Sequence, residues 1–268
     1  MKRILSSARL WGGLVAALAI ACVSVAIQLQ RPASNLYEDV SYALHPSAPR
    51  AFEIGERHFN GQDPSAYNVV RAATYFKKAV ALDSHLLYVH HELARIYFLR
   101  GDFGNAMTQI DVQIAEHGDA TPNSYYVRGL IEGYMGAYAD AAKDYEQFLR
   151  SDPHNWAGIN DYAWVLLKDG RAKDAARVTE AGLKDFPNNP WLLNSNSIAL
   201  FELGRLKEAN AQAKKAWGAL QGVSEKEWLH SYPGNDPKVA QQGIETFRTS
   251  VQENMHRIER ALASSTLQ

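Results

Sequence analysis

The chain of 268 residues has 46% apolar and 21% charged side chains, the profile of a folded region with an apolar excess at one end. Its 28 basic and 29 acidic side chains leave a net charge of -1 with no basic stripe, which sets aside a general nucleic-acid binder. A lone cysteine, Cys22, excludes an intramolecular disulfide and a cysteine-based zinc site.

The N-terminal segment, 1–31, reads as a signal-anchor or transmembrane helix. From Leu10 to Gln30 there is a run of 21 residues without a charge, enough for a helix across a hydrocarbon core at about 1.5 Å per residue. Lys2, Arg3 and Arg9 precede it, and Glu38 and Asp39 follow Arg31. That asymmetry places the N-terminus in the cytoplasm and the rest outside it. The expected location is therefore the inner membrane, single-pass, with an extracytoplasmic domain. Two rival fates stay open: cleavage after the small-x-small Ala19-Ile20-Ala21, and lipidation at Cys22. Residues 32–48, with three prolines and no sustained period, read as a linker.

From residue 49 to 220 three columns of small residues recur in one register. Ala72, Ala106, Ala141, Ala175 and Ala209 lie 34, 35, 34 and 34 apart; Gly101, Gly136, Gly170 and Gly204 lie 35, 34 and 34 apart. Ala94, Gly129, Ala163 and Ser197 repeat the same spacing. Each unit is a pair of amphipathic segments joined by a glycine turn, and a lone pair leaves one flank of each helix in water. Pro153 and Pro187 stop second helices.

This pattern resembles the tetratricopeptide repeat (TPR), a helix-turn-helix of about 34 residues with small residues at its crossings. The resemblance implies an all-α TPR α-solenoid, a right-handed superhelix of helix hairpins, and partner binding as a class. Five units follow, at 49–84, 85–120, 121–155, 156–189 and 190–220. In the first, the turn GQDPSA is about four residues longer than its counterparts, loosely similar to the Sel1-like variant. Beyond them, 221–268 breaks register: Glu225 to His230 reads as a short helix, SYPGNDP as a turn. Ala240, Ile244, Phe247, Val251, Met255, Ile258 and Leu262 then mark one long amphipathic helix. That helix is expected to cap the stack, with a docking role as its rival.

In the TPR family the first helices line the concave side. The face opposite the packing residues carries Tyr88, His91, Arg95 and Phe98, then Tyr126 and Tyr134, Asn160 and Trp164, and Asn194. Rings beside amides suit an extended peptide, whose backbone the amides bond and whose side chains the rings pack. Tyr88, His91, Arg95, Tyr126, Asn160, Trp164 and Asn194 are thus the candidate groove. For any one ring, packing between repeats is the rival explanation. The lysine, arginine and asparagine clamp by which some TPR domains hold chaperone C-termini is not reproduced here.

No phosphate loop, nucleophile elbow or paired-carboxylate motif appears, and His90-His91-Glu92 lacks the spacing of a helical zinc site. Hence no enzyme, cofactor, metal or small-molecule substrate is expected. The expected function is a membrane-anchored scaffold that binds partner proteins or peptides in envelope assembly. The alternative is an exported assembly factor for secretion, pilus or cell-wall machinery.

Overall fold

The computed structural model describes residues 34–60, 63–232 and 234–265, and every regular element among them is helical. Five antiparallel pairs follow one another along the chain. They are α2 (Ala48–Phe59) with α3 (Val69–Leu82), α4 (Val89–Leu99) with α5 (Phe103–His117), α6 (Asn123–Met135) with α7 (Tyr138–Ser151), α8 (Trp156–Lys168) with α9 (Ala172–Asp185), and α10 (Pro190–Glu202) with α11 (Leu206–Leu220). Each helix packs chiefly on its chain neighbours, the signature of a solenoid. The first helices α4, α6, α8 and α10 also touch one another in order, whereas the second helices stay further apart. A stack whose inner layer is closer than its outer layer must curve, with the first helices on the concave side.

The small columns explain the close stacking. Ala72, Ala106, Ala141, Ala175 and Ala209 are all fully buried, as are Ala94, Ala163 and Ser197. At Gly129 an added Cβ would lie 3.1 Å from the Tyr145 ring and 3.3 Å from the Ala141 carbonyl oxygen. Larger residues there would force the pair apart. Gly101, Gly136, Gly170 and Gly204 take left-handed backbone, φ 72° to 86°, where each first helix ends.

Two elements differ from expectation. Residues 34–44, read as part of an irregular linker, form a helix, α1, laid against the first pair. Its attachment is polar and aromatic more than aliphatic. Glu38 meets Arg57 at 2.5 Å and His58 at 2.8 Å, Arg71 spans Glu38 and Asp39, and Tyr42 packs edge-on to Tyr75 at 5.3 Å. Burial would raise the Glu38 carboxyl, but its bonds to His58, Arg71 and Arg57 outweigh that and hold it below its usual range. Leu36, Tyr37, Val40 and Leu44 remain exposed, so no apolar period facing the core was there to read.

The second difference concerns location. The expected single-pass inner-membrane placement, with the repeats outside the cytoplasm, is corrected: no helix among the described residues is long and apolar enough to cross a membrane. The longest, α13 (Ala240–Ser265), runs 26 residues but is amphipathic, with Glu245, Arg248, Glu253, Arg257 and Glu259 along it. The segment 1–31 that carried the expectation, Cys22 included, lies outside the described residues.

The chain closes with α12 (Glu225–Ser231) and α13. A capping box at Ser224 and Glu227 starts α12. Along α13, Ile244, Val251 and Ile258 are buried at intervals of seven residues, Ile244 against Trp191, Val251 against Leu193, Ala216 and Leu220, and Ile258 against Leu200 and Ala213 of the last pair. It covers the face that a sixth pair would otherwise cover.

The crossing columns make a direct prediction. Ala141→Leu should lower stability by about 1–3 kcal/mol through overpacking, read as a fall in urea midpoint. Ala139→Leu, two positions away on the exposed side of the same helix, should leave the midpoint unchanged within error.

Candidate functional site

The concave face is built on α4, α6, α8 and α10, and its floor is polar at the centre. The Tyr126 hydroxyl donates to Asp161 Oδ2 at 2.6 Å, and the Asn160 amide donates to Asp161 Oδ1 at 3.1 Å. Asn160 in turn accepts from the Ser195 hydroxyl at 2.8 Å, tying α8 to α10. Enclosure by the groove pushes the Asp161 carboxyl up to about 6, although the bonds from Tyr126 and Asn160 oppose it. The Tyr126 hydroxyl is raised well above its usual value, first by burial and then by the Asp161 charge.

Towards the turns an aromatic ladder steps from one first helix to the next. Phe98 meets Tyr134 edge-on at 5.1 Å, and Tyr134 meets Trp164 at 5.4 Å, with Phe103 and Tyr138 beside them. Gly133 makes room for it: a Cβ there would lie 2.7 Å from the Trp164 ring. Tyr134 is 60% exposed, so the ladder offers ring surface to solvent instead of sealing it.

The remaining predicted residues separate. His91 is buried between α4 and α6, its Nδ1 3.1 Å from the Ser124 hydroxyl, and burial lowers its pKa to about 4. It is a neutral packing residue, in place of the expected groove contact. Tyr88 caps α4 in left-handed backbone, φ 67°, the one such non-glycine among the described residues, with its ring edge-on to His91 at 5.4 Å. Arg95 bonds Glu92 at 2.8 Å and Asn60 at 3.0 Å and lies over the Phe59 ring at 4.8 Å. Asn194 accepts from Asn254 of α13 at 3.3 Å, so the closing helix occupies its side chain. The structure thus joins Tyr126 and Asn160 in one polar centre and Trp164 in the ladder. It does not line up Asn160 and Asn194 as one open row.

Sequence reasoning missed Asp161, the one charged side chain of an otherwise neutral first turn and middle of α8, which is itself a signal. It also missed a carboxylate pair near the first turn. Burial, together with the charge of Glu92, pushes Glu56 up to about 7, and Asn60 bonds both acids. Among the described residues, no group of histidine, cysteine and acidic side chains has the arrangement to hold a metal ion.

The largest omission is a strap. Between α11 and α13 the chain turns back over the groove from the fifth pair to the first. The Trp191 indole donates to the Tyr232 hydroxyl at 2.8 Å, and the Tyr67 hydroxyl donates to the Gly234 carbonyl at 2.9 Å. Burial raises the Tyr232 hydroxyl far above its usual value, with the Asp161 charge adding to it. Trp228 packs on Tyr232 at 4.3 Å, and Trp156, Trp191 and Phe247 complete an aromatic knot, Trp191 stacking on Phe247 at 5.3 Å. A cleft of about 410 Å³ opens between this strap and α13, lined by Trp228, Asn235, Val239, Gly243 and Phe247.

Comparison with known proteins agrees with this architecture. A tetratricopeptide repeat family model matches residues 134–190. No protein of curated function matches the chain by sequence. Among solved structures, YrrB, described as a TPR protein with an unusual peptide-binding site, aligns with a TM-score of 0.57 at 12% identity, covering 69% of this chain and 93% of YrrB. The MamA protein aligns at 0.55 with 17% identity over 69% of this chain and 94% of its own, and a MamA AMB-1 structure at 0.56 with 19% identity over 65% and 99%. At these identities the likeness is one of fold: the described helices form a TPR-type solenoid.

The polar centre yields a pH test. A carboxyl whose folded pKa lies near 6, above its ordinary 3.8, opposes folding at neutral pH and ceases to do so as pH falls through that window. Asp161→Asn should therefore raise the thermal midpoint at pH 8, with the gain shrinking below pH 6 and gone near pH 4. Thermal unfolding followed by circular dichroism at a series of pH values reads this directly.

Proposed function

We propose that the chain is a non-enzymatic interaction scaffold that holds an extended segment of a partner protein along its concave face. The observation that carries this reading is the part-exposed ladder of Phe98, Tyr134 and Trp164, with Tyr134 open to solvent, lying beside the Tyr126, Asn160 and Asp161 centre. Rings that step from helix to helix supply flat apolar contact for side chains, and the amide and carboxylate beside them bond a peptide backbone. A TPR-type solenoid suits this role. One neighbour of the same fold, YrrB, is itself described as having a peptide-binding site. Of the expected groove residues, Tyr126, Asn160 and Trp164 belong to this proposal as direct contacts, Arg95 borders it, and Tyr88, His91 and Asn194 support helices. Membrane anchoring and an envelope role form no part of it.

The test is selection of binders from a displayed library of random peptides, followed by affinity measurement. Selected peptides should lose tenfold or more in affinity, about 1.4 kcal/mol or above, on Trp164→Ala and on Tyr134→Ala. Lys173→Ala, an exposed change on α9 of the outer layer, should leave affinity unaltered. Failure to select any binder, or binders indifferent to both ring substitutions, would remove the proposal.

A further inference from the structure

The strap runs along the same concave face that the proposed partner segment would use, and its chemistry describes that partner. It leaves α11 after Leu220, forms α12, and by Gly234 has reached residues of the first pair, 167 positions away in sequence at Tyr67. Tyr232 meets Trp191 on α10, and two residues on Gly234 meets Arg95 on α4, Phe59 on α2 and Tyr67, so the strap crosses the first helices from the fifth pair to the first. Trp228 to Gly234 extends no further than about 23 Å even when fully stretched.

Its fit to the groove is specific at two points. Tyr232 places its ring 6.4 Å from that of Trp191 on α10, with the strap's own Trp228 packed on it at 4.3 Å, and its hydroxyl takes the Trp191 indole hydrogen. Gly234 has φ 88°, and a Cβ there would lie 2.6 Å from Arg95 Nη2 and 2.9 Å from the Phe59 ring. Both the left-handed backbone and the close approach demand glycine. The carbonyl of the same residue takes the Tyr67 hydroxyl. An aromatic side chain with a hydroxyl, followed two residues later by glycine, is thus the pattern this part of the face accepts.

We infer that the strap, residues 224–232 and 234–239, is a built-in ligand of the concave face. A partner engages that face through a segment carrying the same aromatic-x-glycine pattern, and it enters by displacing the strap. This rests on the scaffold reading above and adds to it both the partner's recognition chemistry and a gate. A tethered segment competes at an effective concentration of roughly millimolar order, so an incoming peptide sees a weakened site until the strap is loosened. The knot of Trp156, Trp191, Trp228 and Phe247 holds α12 to the last pair and α13, whereas the tip beyond it is fastened by Tyr232 and Gly234. Release therefore begins at the tip.

The experiment uses the full chain and a synthetic peptide of residues 224–239, SEKEWLHSYPGNDPKV. Loosening the strap in the protein with Tyr232→Ala and Gly234→Val should tighten binding of the unaltered peptide at least tenfold over the parent. Hydrogen exchange should rise across 225–239. A peptide carrying either substitution should bind neither protein. Tyr232→Phe in the protein removes a single hydroxyl from the strap, leaves the face intact, and should give the same change in smaller measure, roughly twofold to tenfold, if the double variant folds poorly. Library-selected binders should be enriched in the aromatic-x-glycine pattern and gain equally on release. If those binders attach as tightly to the parent as to both variants, or lack the pattern, the strap is a fixed brace and this inference falls while the scaffold reading stands. If neither strap peptide nor library yields a binder to any form, the scaffold reading falls with it.

Discussion

Everything in this fold depends on how closely two helices of a pair can approach. Alanine, glycine or serine at the crossing points, Ala94 with Ala106 or Gly129 with Ala141, lets backbones come within reach of one another. Large side chains such as Tyr145, Phe148 and Ile110 then fill the flanks. The same closeness, repeated along the inner layer, makes the first helices touch and the second helices spread. Curvature follows from side-chain size, and the concave face follows from curvature.

On that face the chemistry divides by position along each helix. The middles supply hydrogen bonds, from Tyr126, Asn160, Asp161 and Ser195, and enclosure keeps the Asp161 proton bound to a higher pH than an open carboxyl would allow. The ends near the turns supply rings, Phe98, Tyr134 and Trp164, and leave part of them uncovered. The starts supply tryptophan, Trp156 and Trp191, which the strap already covers. One surface therefore carries both an occupied and an unoccupied strip.

The solenoid was legible in the sequence because its cause is local and periodic: one small residue per crossing, one glycine per turn, every 34 or 35 residues. Where the cause is neither, the sequence was silent. Helix α1 is held by Glu38 and Asp39 against Arg57, His58 and Arg71, and pairs of charges leave no hydrophobic period to follow. His91 sits at the right turn of α4 for a groove contact, but Ser124 and Glu92 enclose it, and enclosure by another helix cannot be read from one helix. Asn194 is equivalent to Asn160 by spacing, yet α13, outside the register, takes it. The expected membrane placement rested on residues 1–31 and the charges flanking them, and the described helices contain nothing long and apolar enough to carry it. The strap is the clearest case. Its Trp-x-x-x-Tyr-x-Gly pattern stood in plain view, but Tyr67, Phe59 and Arg95, which its glycine meets, lie more than 130 residues upstream.

An open stack of helix pairs ordinarily has two loose ends, and each can peel away without asking anything of the other. Here Tyr67 and Gly234 clasp those ends together, so the chain is topologically closer to a fastened bracelet than to an open spring. Peeling the first pair would mean undoing the clasp as well as that pair's own contacts, while the aromatic knot still holds the last pair to α12 and α13. A molecule built this way turns a sum of local stabilities into a shared one.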